Sequence, residues 1–161
     1  MLEYKLITEY YANKTTERSG VKLINHIDEG LIILDAIDAS EIAKRAFCLH
    51  PMLQNDEELR KNIFNPKFID IDFSILLTTM EYRKTANAYL SNRIIQCLND
   101  IQLSPLKDVN DMLIADKVQN FKDFEKYHKA THERSSELTE YFNNWIRKLN
   151  IDYQHLKSKI S

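Results

Sequence analysis

IADKVQN, Ile114 to Asn120, is the stretch on which the reading of this fold turns. At helical spacing Asp116 shares a face with Val109, Leu113 and Asn120, so a carboxylate is set on the apolar side of a helix. Turning a carboxylate toward a core is costly unless a metal, a cation or several donors hold it there. Two earlier histidines, His26 and His50, also lie in otherwise apolar helical stretches. An imidazole pair with one carboxylate is a ligand set for a divalent metal. A single inward histidine is more often a core residue than a ligand, and ADK alone reads equally as an ion-pairing segment. The ordered triplet is what points to a site.

Outward from that stretch, 161 residues with 43% hydrophobic content suit a single domain, residues 1–161, around one core. Two glycines and three prolines, with no strand alternation punctuated by hairpin dipeptides, predict an all-α chain. A net charge of -2 and a pI near 6.2 argue against a general nucleic-acid or membrane-surface binder, while leaving room for a small anionic ligand. The opening MLEYKLITEYY carries Glu3, Lys5 and Glu9 where a signal peptide needs an apolar run, and no later run reaches membrane-spanning length. A cytoplasmic protein is therefore expected. Cys48 and Cys97 have neither metal-finger nor redox spacing and read as free thiols.

The pattern predicts about seven helices. The first spans Glu3 to Glu17 and stops near Ser19 and Gly20; the second carries His26 on a surface so apolar, from Leu23 to Ile37, that it reads as the central, enclosed helix. Ser40 caps a third, which buries Ile42, Ala43, Ala46, Phe47 and Leu49 and ends near His50 because Pro51 disfavours helical geometry in the residue before it. A short charged helix follows from Asn55 to Ile63, then a turn at Asn65 and Pro66 and a long segment from Phe68 to Leu98. Ser104 and Pro105 open another helix reaching His128, and Ser135 or Ser136 caps the last, which bears Leu138, Tyr141, Phe142, Trp145 and Leu149.

The order His26, His50, Asp116 resembles the HD superfamily of metal-dependent phosphohydrolases. More narrowly, RSGVKLINHIDEGLIIL, Arg18 to Leu34, is similar to the R-K-S-G-x-P-Y-x-x-H segment that opens the hydrolase domain of RelA/SpoT alarmone enzymes. AKRAFCLHPMLQND, Ala43 to Asp56, resembles their A-A-L-L-H-D-x-x-E-D-T, and MLIADKVQN resembles their V-K-L-A-D-R/K-L-x-N. The similarity covers Arg18 to Asp56 and Ser104 to Trp145. It implies an HD-like helical bundle in which His26, His50 and Asp116 hold one divalent metal, manganese by the family's habit, that activates water against phosphorus. It also implies a small nucleotide or phosphoester ligand touched by Asn120, with Arg18 and Lys117 as candidate anion or base contacts; a solvated surface role for those two stays open.

The chain departs from that pattern at instructive places. Pro51 stands where the family has the aspartate of its His-Asp pair, so one anionic ligand is missing. Gln54 and Asn55 occupy the catalytic Glu-Asp positions, and neutral amides cannot take a proton from water. Glu17 replaces the motif's first arginine. Glu29, three residues after His26 and so on its face, is the preferred replacement acid, although Asp28 and Glu29 also read simply as acids near the positive end of a helix. Two functions follow as expectations: a divergent HD-type phosphohydrolase, or a degenerate relative that binds a nucleotide or a protein without hydrolysis. The oligomeric state is not written in these residues.

Overall fold

Apolar side chains recurring every three to four residues, with few glycines or prolines to break the run, leave helices as the means of satisfying the backbone. In the computed structural model, which describes residues 1–17, 19–90 and 97–161, the chain is all-α. The helices are α1 Leu2–Tyr11, α2 Ile24–Ala36, α3 Glu41–Leu49, α4 Asp56–Asn62, α5 Phe73–Leu90, α6 Lys107–Asp123, α7 Ser135–Leu149 and α8 Tyr153–Lys157. Among the described residues there is no strand, and one isolated antiparallel bridge joins Thr15 to Lys22. No helix among them is long and apolar enough to cross a membrane.

All seven expected helices occur, with revised ends. The first stops at Tyr11 rather than Glu17, because Ala12 turns to a positive φ of 47°. The residues after it form a loop closed by Thr16 N–H donating to Val21 O, and Gly20, at φ 69°, serves that turn instead of ending the helix. The Ser40 hydroxyl accepts from Ala43 N–H at 3.1 Å, as a cap should, and α3 runs into a 3-10 turn at His50–Met52 whose second residue is Pro51. Of the long Phe68 to Leu98 segment, Phe73–Leu90 is helical, and 91–96 lie outside the described residues. The Ser104 helix begins at Lys107, after Ser104 and Asn110 exchange hydrogen bonds of 3.0 and 2.9 Å, and widens into a π-turn at Phe124–His128. The eighth helix was not expected; the Asp152 side chain caps it, and its Tyr153 ring stacks on Phe121 at 4.7 Å.

The central helix is also not the one that hydrophobicity selects. Ile32 on α2 is 45% exposed, whereas α6 packs against α2, α3, α5, α7 and α8. Five polar or charged residues of α6 are buried with it: Asp111, Asp116, Lys117, Gln119 and Lys122. Enclosure on several sides is set by topology, and α6 tolerates it because each polar group finds a partner, Asp111 in Lys107 of the same helix and the other four across the seams. The apolar core is otherwise continuous, running from Ile7 on α1 through Phe47 and Leu49 on α3 to Trp145 on α7. A buried carboxylate, Glu3, ties α1 to α3 through both oxygens, accepting from Arg45 at 3.1 and 2.8 Å.

Candidate metal centre

α2 brings His26 to its first turn, facing α3 and α6. The approach of α2 to α3 depends on Gly30, where a Cβ would lie 2.1 Å from the Phe47 ring. With no Cβ there, the Phe47 ring packs against both imidazoles, its centroid 5.4 Å from His26 and 4.8 Å from His50, while the two imidazoles meet each other at 5.3 Å. His50 sits at the end of α3, buried, where its Nδ1–H donates to Phe47 O at 2.6 Å. That bond leaves its Nε2 as a lone pair. Burial first, then the neighbouring His26, pulls the His50 pKa down to about 3, so this imidazole is neutral at physiological pH.

Asp116 comes up from the middle of α6. Its Oδ1 lies 3.7 Å from His26 Nε2, and His26 Nε2 lies 3.3 Å from His50 Nε2. One donor atom from each of the three residues falls within 4.8 Å of the others. The triplet expected from sequence is therefore brought together: His26 and Asp116 line a cleft of about 260 Å³, with Tyr11, Lys22, Gln54 and Asn120 among its other walls, and His50 lies buried against His26. Burial raises the Asp116 pKa, but Lys117 and the two imidazoles outweigh it and hold the carboxyl well below its usual range. An ionised oxygen and imidazole nitrogens form a donor set suited to manganese, iron or zinc. Tyr82 packs against the same site: it is fully buried, its ring is edge-on to His50 at 5.0 Å, and burial first, then the Asp116 charge, raises its hydroxyl pKa well above the usual value.

The other expected residues have different fates. Asn120 lines the cleft and donates to Asp116 Oδ1 at 2.8 Å, so it orients the acid and also reaches the opening. Lys117 is buried, with its ammonium 2.7 Å from Asp116 Oδ2 and 5.0 Å from the centre of the Trp145 ring, which takes it away from any solvated ligand. Glu29 does not join the triplet; both its oxygens accept from Lys122 at 2.6 Å. Asn55 caps α4, accepting from Glu58 N–H at 2.8 Å, while Gln54 lines the cleft. Arg18 lies outside the described residues.

Tyr82, Gln119 and Lys122 also belong to the neighbourhood, and the sequence motifs assign them no role. Tyr82 belongs to the middle segment that the resemblance does not cover, and Gln119 sits between two motif positions. Comparison with known protein families, with curated proteins and with solved structures yields no match for this chain.

Proposed function

We propose that the protein is a divergent HD-type phosphohydrolase acting on a nucleotide or related phosphoester, with a divalent metal, manganese by preference, held by His26, His50 and Asp116. The observation that carries this reading is the convergence of two imidazole nitrogens and one ionised oxygen, with His26 and Asp116 reaching an open cleft. A cation bound there supplies Lewis acidity and lowers the pKa of water for attack on phosphorus. The chain's own residues would do the rest. Asn120 holds Asp116 in register, and Lys117 fixes the other carboxylate oxygen at 2.7 Å. Lys22, exposed at the cleft and without an ion-pair partner among the described residues, is placed to meet a phosphate. The Tyr11 ring beside it offers an apolar face to a base.

One observation favours the second reading, binding without turnover. The carboxylates near the cleft are engaged: Asp123 bonds Gln119 and Lys122, and Glu29 bonds Lys122. No free acid stands where the alarmone hydrolases keep theirs. The two readings separate in one experiment. Purified protein with manganese and a panel of nucleotides releases phosphate or pyrophosphate if it is a hydrolase, and His50→Ala abolishes that release. Calorimetric binding without product formation supports the degenerate relative. No manganese binding at all sinks both metal-dependent versions.

A further inference from the structure

The Gln119 side chain, 1% exposed, lies between His26 and two carboxylates. Its Nε2 is 3.1 Å from Glu29 Oε2 and 2.7 Å from Asp123 Oδ2. Ionised carboxylates only accept, so both amide protons are committed to them. Lys122 bridges the same two acids, with its ammonium 2.6 Å from each Glu29 oxygen and 3.0 Å from Asp123 Oδ1. The amide is thereby held one way round, and its Oε1 faces His26 Nδ1 at 2.7 Å. An amide oxygen has no proton to give, so the proton in that bond must sit on Nδ1.

We infer that Gln119 is a positioning residue that fixes His26 as the Nδ1–H tautomer, with the Lys122, Glu29 and Asp123 cluster serving to lock the orientation of its amide. The consequence falls on the far side of the ring. A neutral His26 protonated at Nδ1 presents a bare Nε2 to His50 Nε2, 3.3 Å away, and to Asp116 Oδ1, 3.7 Å away. Because Phe47 O imposes the same tautomer on His50, three lone pairs are aimed at one region and no ring proton is left to satisfy them. Without the relay, His26 would place its proton on Nε2, where the His50 Nε2 lone pair at 3.3 Å accepts it, and the donor set would close on itself. The alarmone-hydrolase motif leaves the position of Gln119 free, so the family resemblance assigns this residue no role. The purpose of the relay rests on the metal reading above; its geometry does not.

The test uses the full chain without metal, at mildly alkaline pH, and reads proton occupancy of each His26 ring nitrogen from long-range ¹H–¹⁵N correlation spectra. Wild type should show Nδ1 protonated and Nε2 bare, and Gln119→Leu should move the proton to Nε2. Manganese titration follows on the same proteins. Gln119→Leu should bind about 10–100-fold more weakly, the usual loss when a ligand's orienting partner is removed, whereas Gln119→Glu, which retains an acceptor at Nδ1, should stay within about threefold of wild type. Gln119→Glu should nonetheless melt at a lower temperature, since it sets a third carboxylate beside Glu29 and Asp123. A purely structural role predicts the opposite order, with Gln119→Glu worse on both measurements. The inference is overturned if wild-type His26 carries its proton on Nε2, or if wild type and Gln119→Leu share one tautomer. Should wild type bind no manganese, the proposed function falls, and the spectra of the metal-free protein still decide the role of Gln119.

Discussion

Two clusters of acceptors lie side by side on the seam between α2 and α6, and they are neutralised differently. In one, Glu29 and Asp123 accept from the Gln119 amide and meet Lys122, a buried ammonium supplied by the chain. In the other, His26 Nε2, His50 Nε2 and Asp116 Oδ1 converge, while Lys117 reaches only the opposite carboxylate oxygen and lies against Trp145. Both clusters put electron-rich atoms into a helix seam, which is unfavourable without positive charge. The difference teaches which of the two is structural. A cluster with a tethered cation is complete on folding; the other, whose donors face each other with no chain ammonium between them, is the one to which the proposed function assigns a cation from solution.

That contrast is broken most severely at Lys122. Lys122→Met leaves Glu29 and Asp123 facing each other; because both acids retain some contact with water, the loss should fall near the lower end for a broken buried pair, about 3 kcal/mol, seen as a lower urea midpoint with or without manganese. The neighbouring cluster should behave in the reverse way. Manganese at a hundredfold excess over its Kd should stabilise wild type by about 2.7 kcal/mol and raise its Tm, and His26→Ala should show no such rise. A Tm indifferent to manganese in wild type, or raised equally in His26→Ala, erases the distinction between the clusters.

A third variant sharpens the comparison from the packing side. Gly30→Ala improves helix propensity, a gain of up to about 1 kcal/mol, but drives a methyl group into a ring whose nearest atom would be 2.1 Å away. Overpacking wins, and the net loss should be about 1–2 kcal/mol. Since Phe47 packs against both His26 and His50, its displacement should weaken manganese binding as well. Stability lost with unchanged manganese affinity would show that the ring does not position the imidazoles.

The parts of this arrangement visible in the sequence were those encoded by position along one helix. His26, His50 and Asp116 each interrupt an apolar stripe, so their inward direction follows from period alone. Which neighbours they meet is a matter of how α2 and α6 face each other. Glu29 shares a face with His26, and spacing made it the candidate ligand; the seam instead carries it to Lys122, 93 residues away. Lys117 looks like a solvated or anion-binding lysine until Tyr141 and Trp145, from a helix packed across α6, cover it. The same limit explains why α6 was passed over as the hub in favour of the more hydrophobic α2: buried polar groups are recognised by their partners, and the partners are distant in the chain.

The smallest effect expected is at Asn55, where sequence correspondence and geometry assign different work. The resemblance to the alarmone hydrolases would give this position to a catalytic acid, yet its side chain oxygen accepts from Glu58 N–H at 2.8 Å as the cap of α4. Asn55→Ala should therefore cost about 1 kcal/mol, as caps do, and Asn55→Asp almost nothing, because aspartate caps as well as asparagine. Manganese affinity should be unchanged in both, since Asn55 belongs to neither cluster on the α2 and α6 seam. Urea denaturation and manganese titration on the two variants check this directly. If Asn55→Ala instead abolished turnover or metal binding while α4 kept its stability, the residue would return to the reaction and the cleft would extend further toward α4 than its lining residues indicate.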